Sequence, residues 1–281
     1  MNIPKTEMRN SKSTNFSEMT SEEMALLVIS ANHDAVAAVE NASQQIAVAI
    51  DAVANAFENG NRLVYAGAGT SGRLAIVDAS ECPPTFGVSC EQVSGILAGG
   101  RDRMFDAGEK EEDSYENGCQ DIMDKGVHAG DVVMGISAAG NAAYVVGAME
   151  TAKRLGCITI GLTCNPDTAV LRAADIPIFT DTGAEILTGS TRLKAGTAQK
   201  IVLNTLTTCS MAKTGKVYEN MMINLAPSNE KLKKRVVRIT MEILSCDEDT
   251  AVAALDANDW SIKNAVEYIK NKKEKGMKNE C

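Results

Sequence analysis

Five short apolar runs dominate this chain: Leu63–Ala66, Val93–Leu97, Val132–Ile136, Ile158–Leu162 and Ile176–Phe179. Most end near Gly, Ser or Thr, and a stretch of helical periodicity follows. This alternation predicts an α/β fold, a doubly wound parallel sheet flanked by helices. Pro177 interrupts the last run and cannot donate to a ladder, so that run is expected at a sheet edge. In such sheets ligands sit at the carboxyl ends of the strands, which directs attention to the loops after Ala66, Leu97, Ile136 and Leu162.

The flanking segments follow from periodicity and punctuation. Residues 1–19 are polar and read as a loose N-terminal arm, ordered by a partner subunit. Thr20 and Glu23 have capping-box spacing. Val36, Val39, Ile46, Ile50, Val53 and Phe57 then recur at helical spacing, a stripe that needs a core or a dimer partner to cover it, and Gly60 ends the helix. The last long helix is expected over about Thr191 to Lys213, before Gly215. The main domain is therefore assigned to 20–225. A small helical C-terminal module over 226–281 follows, opening with the charged SNEKLKKRVVR and carrying Val252, Leu255, Trp260, Ile262, Val266 and Ile269. The tail KNKKEKGMKNEC reads as a solvated charge run.

Composition removes whole classes of function. With 28 basic against 37 acidic residues, a formal charge of −9 leaves no field for nucleic acid or a membrane surface. Aromatic residues, at 4%, are too few for a base-stacking platform, while 44% hydrophobic residues argue against disorder. The first residues lack the apolar core of a secretory signal, and no run approaches a membrane span, so a cytoplasmic location is expected. The eight cysteines are scattered with no CxxC pair, and the only histidines are His33 and His128, so no metal site is expected and the thiols read as free and buried.

Chemistry concentrates in a few loops. The first strand runs into Gly67-Ala-Gly69-Thr70-Ser71-Gly72-Arg73, a literal GxGxxG between a strand and a helix. A nicotinamide site also wants an acid closing the second strand, yet that strand ends in Ala98-Gly99-Gly100-Arg101, with Asp102 only after the turn. The loop is better suited to cradling one phosphate with close backbone, helix N–H groups and the Thr70 and Ser71 hydroxyls. Similar turns recur at Ser137-Ala-Ala-Gly140-Asn141 and Thr188-Gly-Ser190-Thr191-Arg192, and three hydroxyl-rich turns suggest a phosphorylated polyol. In Asp78-Ala-Ser80-Glu81-Cys82-Pro83-Pro84-Thr85-Phe86, the diproline is expected to break the helix just after Glu81. A carboxyl group desolvated there by the prolines and Phe86 would be a candidate general acid. A second acidic stretch, Glu109-Lys-Glu111-Glu112-Asp113-Ser114, does not reveal by spacing which carboxylate matters.

These strings, with Leu63-Val-Tyr-Ala before the first loop and Lys194-Ala-Gly-Thr197-Ala-Gln199-Lys200 and Gly215-Lys216-Val after the last, resemble the N-acetylmuramic acid 6-phosphate etherases of the sugar isomerase (SIS) superfamily. The resemblance covers roughly residues 20–270. It implies an SIS-type fold and cleavage of the D-lactyl ether of N-acetylmuramic acid 6-phosphate by elimination and hydration, with no metal or redox cofactor and a homodimer as the working unit. It also implies Glu81 as proton donor to the leaving lactate and Glu112 as the second catalytic carboxylate, the base at C2. Gly69, Thr70, Ser71, Ser137, Asn141, Ser190 and Thr191 would hold the 6-phosphate and sugar hydroxyls, with Arg192 and Lys194 as charge partners. The chain departs from the family pattern in the charged stretch Asp106-Ala-Gly-Glu109-Lys-Glu111 and at Leu193, where Met is usual. A phosphosugar-binding regulator resembling glucokinase regulatory protein and an aldose/ketose phosphate isomerase are the alternatives on this fold; lactate release belongs to the etherase alone.

Overall fold

The computed structural model describes residues 3–106, 110–225, 227 and 229–269. The charged tail and Glu109 lie outside the described residues. Two compact units emerge: residues 1–80 with 90–210, and residues 81–89 with 211–281. The division falls inside two helices rather than at the boundary near residue 226 that composition suggested.

In the first unit the chain enters through three short 3-10 turns, then α1 (Ser21–Asn41) and α2 (Ser43–Glu58). Next come β1 (Leu63–Gly67), α3 (Gly69–Phe86), β2 (Val93–Leu97), α4 (Tyr115–Asp124), β3 (Val132–Ile136), α5 (Ala143–Arg154), β4 (Ile158–Thr163), α6 (Ala169–Ala173), β5 (Ile176–Phe179) and α7 (Lys194–Lys213). The five strands are parallel in the order β2-β1-β3-β4-β5, with the Pro177 strand at an edge as expected. Every residue of β1 and β3 is buried, as strands covered on both faces require. Val64, Ala66 and Val133 pack against Ile122, Ala148 and Ala152 of α4 and α5. Tyr65, at the alternate position, donates to buried Asp78 of α3 (2.8 Å), whose other oxygen accepts from Asn204 (2.6 Å) and Thr207 (3.2 Å) of α7. At the far end of the sheet, fully buried Asp131 accepts from the Arg62 backbone N–H (3.0 Å) and guanidinium (2.9 Å), joining the starts of β1 and β3.

Three local expectations change. The Thr20–Glu23 capping box is present, but the apolar stripe is carried by two helices that part at Ala42. Ile46 and Val53 are buried, and α2 packs on the sheet of its own chain, so most of the stripe is already covered. The diproline does not break α3 after Glu81; the helix carries Pro83 and Pro84 and ends at Phe86. Each proline removes one i→i−4 bond without ending the helix, and Gly87 closes it at φ 61° by donating to the Pro83 carbonyl (2.9 Å). The arm is not loose: Thr6 is fully buried, and Asn165 both donates to its hydroxyl (2.9 Å) and accepts from its N–H (3.4 Å).

The second unit contains a small antiparallel pair, β6 (Val217–Tyr218) with β7 (Met221–Met222), then α8 (Glu230–Leu244), α9 (Glu248–Asp256) and a helical stretch over 262–269. The charged SNEKLKKRVVR is itself mostly the start of α8. Its apolar face buries Val236, Val237, Ile239 and Leu244 against Ala251, Leu255, Ile262 and Ala265. Each such large aliphatic side chain contributes about 1.5–3 kcal/mol on burial. Among the described residues the thiols are free, but of these only Cys82, Cys157 and Cys164 are buried, and Cys90 is exposed, which corrects the expectation of uniformly buried cysteines.

Candidate active site

The order of strands reverses between β1 and β3, and a cavity of about 220 Å³ opens at their carboxyl ends. Its walls include Ala68, Gly69, Thr70 and Ser71 from the start of α3, Ser137, Ala138 and Ala139 after β3, Thr191 before α7, and the side chains of Glu112 and Glu7. Local geometry explains the first wall. An added Cβ at Gly67 would lie 2.7 Å from the Gly72 nitrogen, and one at Gly72 would lie 2.7 Å from the Gly67 carbonyl oxygen. Only glycine at both positions lets β1 turn into α3 this tightly, so that the helix N-terminus faces the cavity.

The hydroxyls are arranged for an acceptor-rich guest. Ser137 Oγ accepts from the Gly140 N–H at 2.9 Å, which leaves its O–H able to donate. Ser71 O–H donates to Gln199 Oε1 at 3.1 Å, while Gln199 Nε2 is buried without a hydrogen-bond partner. A half-turn of that amide makes Nε2 donate to Ser71 Oγ and turns the Ser71 proton toward an anion.

Glu112 lies in a short 3-10 turn, Lys110–Asp113, and is half-buried. Its neighbour Glu111 is spoken for: Arg103 donates to it at 2.7 Å, and its own backbone N–H, then that guanidinium, hold its carboxyl below the usual range. Arg73 of α3 fastens the loop before them, donating to the carbonyls of Arg103 (3.0 Å), Met104 (3.2 Å) and Asp106 (2.8 Å). Spacing left the acidic stretch undivided; tertiary contacts separate its members.

Other candidates stand elsewhere. Glu81 belongs to the second unit and is exposed, so the desolvation expected from the prolines and Phe86 is not supplied. Asn141 lines a neighbouring cavity and caps α6 by accepting from the Ala169 N–H at 3.1 Å. Lys194 is buried and pairs with Asp34 at 3.1 Å in a third cavity, so it is not a charge partner for the cradle. Ser190 and Arg192 do not line the cradle, and Arg192 is exposed. The helix over Thr191–Lys213 begins only at Lys194, and its N-terminus is not open to a phosphate. Fully buried Glu185 occupies it, accepting from the Lys194 (3.0 Å) and Ala195 (2.9 Å) N–H groups, where a carboxylate complements the helix dipole. Burial pushes the Glu185 carboxyl up, against the lowering by those two N–H bonds. Sequence reasoning missed Glu7, Arg73, Glu185 and Gln199. Arg73 and Gln199 stood inside quoted motifs, whereas Glu7 and Glu185 carried no local signal. Among the described residues, no group of three or more His, Cys, Asp or Glu side chains is placed to hold a metal ion.

A glucokinase regulatory protein N-terminal SIS domain model matches residues 45–153, and an SIS domain model matches residues 117–209. An N-acetylmuramic acid 6-phosphate etherase from Pasteurella multocida is 45% identical over 93% of this chain and 87% of its own length. The chain belongs to the N-acetylmuramic acid 6-phosphate etherase family. Fellow etherases include one from Clostridioides difficile, 49% identical over 83% of this chain and 77% of its own, and etherase 2 of Lactiplantibacillus plantarum, 44% identical over 96% and 92%. The etherase fold is shared with a putative phosphosugar isomerase involved in capsule formation from Bacteroides fragilis, at TM-score 0.51 and 20% identity, covering 77% of this chain and 97% of that one. A phosphoheptose isomerase from Francisella tularensis matches at TM-score 0.51 and 18% identity, covering 71% and all of its own chain, 100%.

Proposed function

We propose that this chain cleaves the D-lactyl ether of N-acetylmuramic acid 6-phosphate with water, giving N-acetylglucosamine 6-phosphate and D-lactate in the recycling of cell-wall amino sugars. The observation that carries the proposal is the kinship with etherases along almost the whole chain, joined to a cavity that sets helix amides and hydroxyls opposite Glu112. The 6-phosphate rests against Gly69, Thr70, Ser71, Ser137 and Thr191, neutral donors that bind an anion through directed hydrogen bonds.

Chemistry then needs two proton transfers. Glu112 first takes the C2 proton, reversibly, and the electron pair left on C2 then forms the C2–C3 double bond as the C3–O bond breaks. Glu81 protonates the departing lactate oxygen. Water adds back across the double bond, its hydroxyl to C3 and its proton to C2. Because an alkoxide leaves poorly and a C2 proton is weakly acidic, both groups must be positioned. The place of Glu112 on the cavity wall, which Glu111 does not line, supports choosing it as the base.

The working unit is a homodimer in the cytoplasm. Among the described residues no helix is long and apolar enough to cross a membrane. Support for the dimer comes from α1, where Leu26, Ile29 and Val36 are 60%, 64% and 43% exposed along one side of the helix.

The deciding experiment incubates the protein with N-acetylmuramic acid 6-phosphate in D2O, following D-lactate and C2 deuterium by NMR. Wild type releases lactate. Glu81→Gln exchanges at C2 but releases lactate about 10²- to 10⁴-fold more slowly, whereas Glu112→Gln does neither. Wild type that binds the phosphosugar without releasing lactate would instead be a regulator of the kind whose domain model it matches.

A further inference from the structure

The cradle contains a group that does not suit a phosphate. Glu7 lines the same cavity as Thr70, Ser71 and Ser137, and a carboxylate offers only acceptor atoms and negative charge. Against a phosphate dianion it repels. Against a hydroxyl or an amide N–H it makes a charge-assisted hydrogen bond.

Its position is built rather than incidental. The Glu7 N–H donates to the Pro4 carbonyl at 2.9 Å, closing the turn Lys5–Glu7. Next to it, Thr6 is locked to Asn165, which also donates to the Ala138 carbonyl at 3.0 Å, beside Ser137. Lys5 pairs with Asp181, Asn10 donates to the Ala184 carbonyl at 3.0 Å, and Ser13 donates to the Ile186 carbonyl at 2.7 Å. These bonds index the segment to the loop that leads to Thr191. At Gly189, φ 77°, an added Cβ would lie 2.7 Å from Glu7 Oε2, so the absence of a side chain there makes room for the carboxylate.

Size gives the second reason. The cavity of about 220 Å³ is smaller than the roughly 300 Å³ at which small-molecule pockets usually begin. A phosphosugar with its phosphate in the cradle must therefore extend past the cavity's present bounds, with Glu7 on its wall. We propose that the N-terminal segment is a wall of the substrate site and that Glu7 is a specificity-determining ligand, accepting a hydrogen bond from a hydroxyl or amide N–H of the bound sugar. This rests on the phosphosugar reading above and adds to it the group that separates a sugar phosphate from phosphate alone.

Calorimetric titration of the full chain with N-acetylglucosamine 6-phosphate and, separately, with inorganic phosphate tests it. For Glu7→Ala the sugar phosphate affinity falls about tenfold or more, while phosphate affinity holds or rises, because a repelling charge has gone. Glu7→Gln, which keeps an acceptor but loses the charge, falls between. Thr6→Val, which unpins the segment from Asn165, reproduces the selective loss of sugar affinity. Equal losses for both ligands, or no loss for either, would overturn the role of Glu7 while leaving the phosphosugar site standing. Wild type that binds neither ligand would bring down the phosphosugar reading and this inference with it.

Discussion

At the scale of single residues, the carboxylates divide by surroundings rather than by type. Glu111 is bound by Arg103, Glu112 faces the cavity, and Glu185 caps α7 from a fully buried position. Glu185 has a consequence for stability. Its folded value is raised above the ordinary 4.5, so the folded chain holds its proton more tightly than the unfolded chain does. That contribution is complete below the unfolded value and is lost as pH rises through the folded one. The stability of wild type relative to Glu185→Gln should therefore fall as pH is raised through and above the ordinary carboxylate range, read as the difference in urea midpoints. A constant difference across that range would refute it. The hydroxyls of the cradle were legible because Thr70, Ser71 and Ser137 follow strands directly. Glu7 was not, because Gly189 and the cradle lie far along the chain, and Glu185 was not, because the loop that returns it to the α7 N-terminus carries no helical or strand spacing.

At the scale of elements, the junction of β1 and α3 is the tightest point of the site. Gly72→Ala would bring a methyl group 2.5 Å from Leu97 Cδ1 and 2.7 Å from the Gly67 carbonyl oxygen. Overpacking of this kind costs about 1–3 kcal/mol, and here it also tilts the helix start that faces the phosphate. A lower urea midpoint together with weaker phosphate binding is expected; an unchanged midpoint would show that β1 and α3 can separate without cost. Strand positions were readable because a strand covered on both faces must be apolar throughout. The break at Ala42 was harder to read, because the helical spacing of apolar residues continues across it. Passage of α3 through Pro83 and Pro84 is unlike the expected break, because a proline removes one helix bond and the neighbouring bonds can still carry the helix to Phe86.

At the scale of the whole molecule, the proposed dimer rests on the apolar residues left uncovered. The stripe first assigned to a partner is largely covered by the sheet, whereas Leu26 and Ile29 of α1 remain open. Placing a charge there, as Leu26→Asp with Ile29→Asp, should turn a sedimenting dimer into a monomer without lowering the thermal midpoint of the single chain. A wild type that sediments as a fully active monomer would remove the dimer. The order of apolar runs and glycine-rich turns was enough, from sequence, to determine a parallel α/β sheet with a tight glycine turn after its first strand, because both are written in contiguous residues. Tertiary structure alone decided that Glu112 rather than Glu111 faces the cavity, that Lys194 is neutralised by Asp34, and that Glu7 lines the same cavity as Thr70 and Ser137. Each of those depends on groups brought together by folding, and charge, burial and hydrogen-bond partners at such places are properties of the assembled site rather than of any segment.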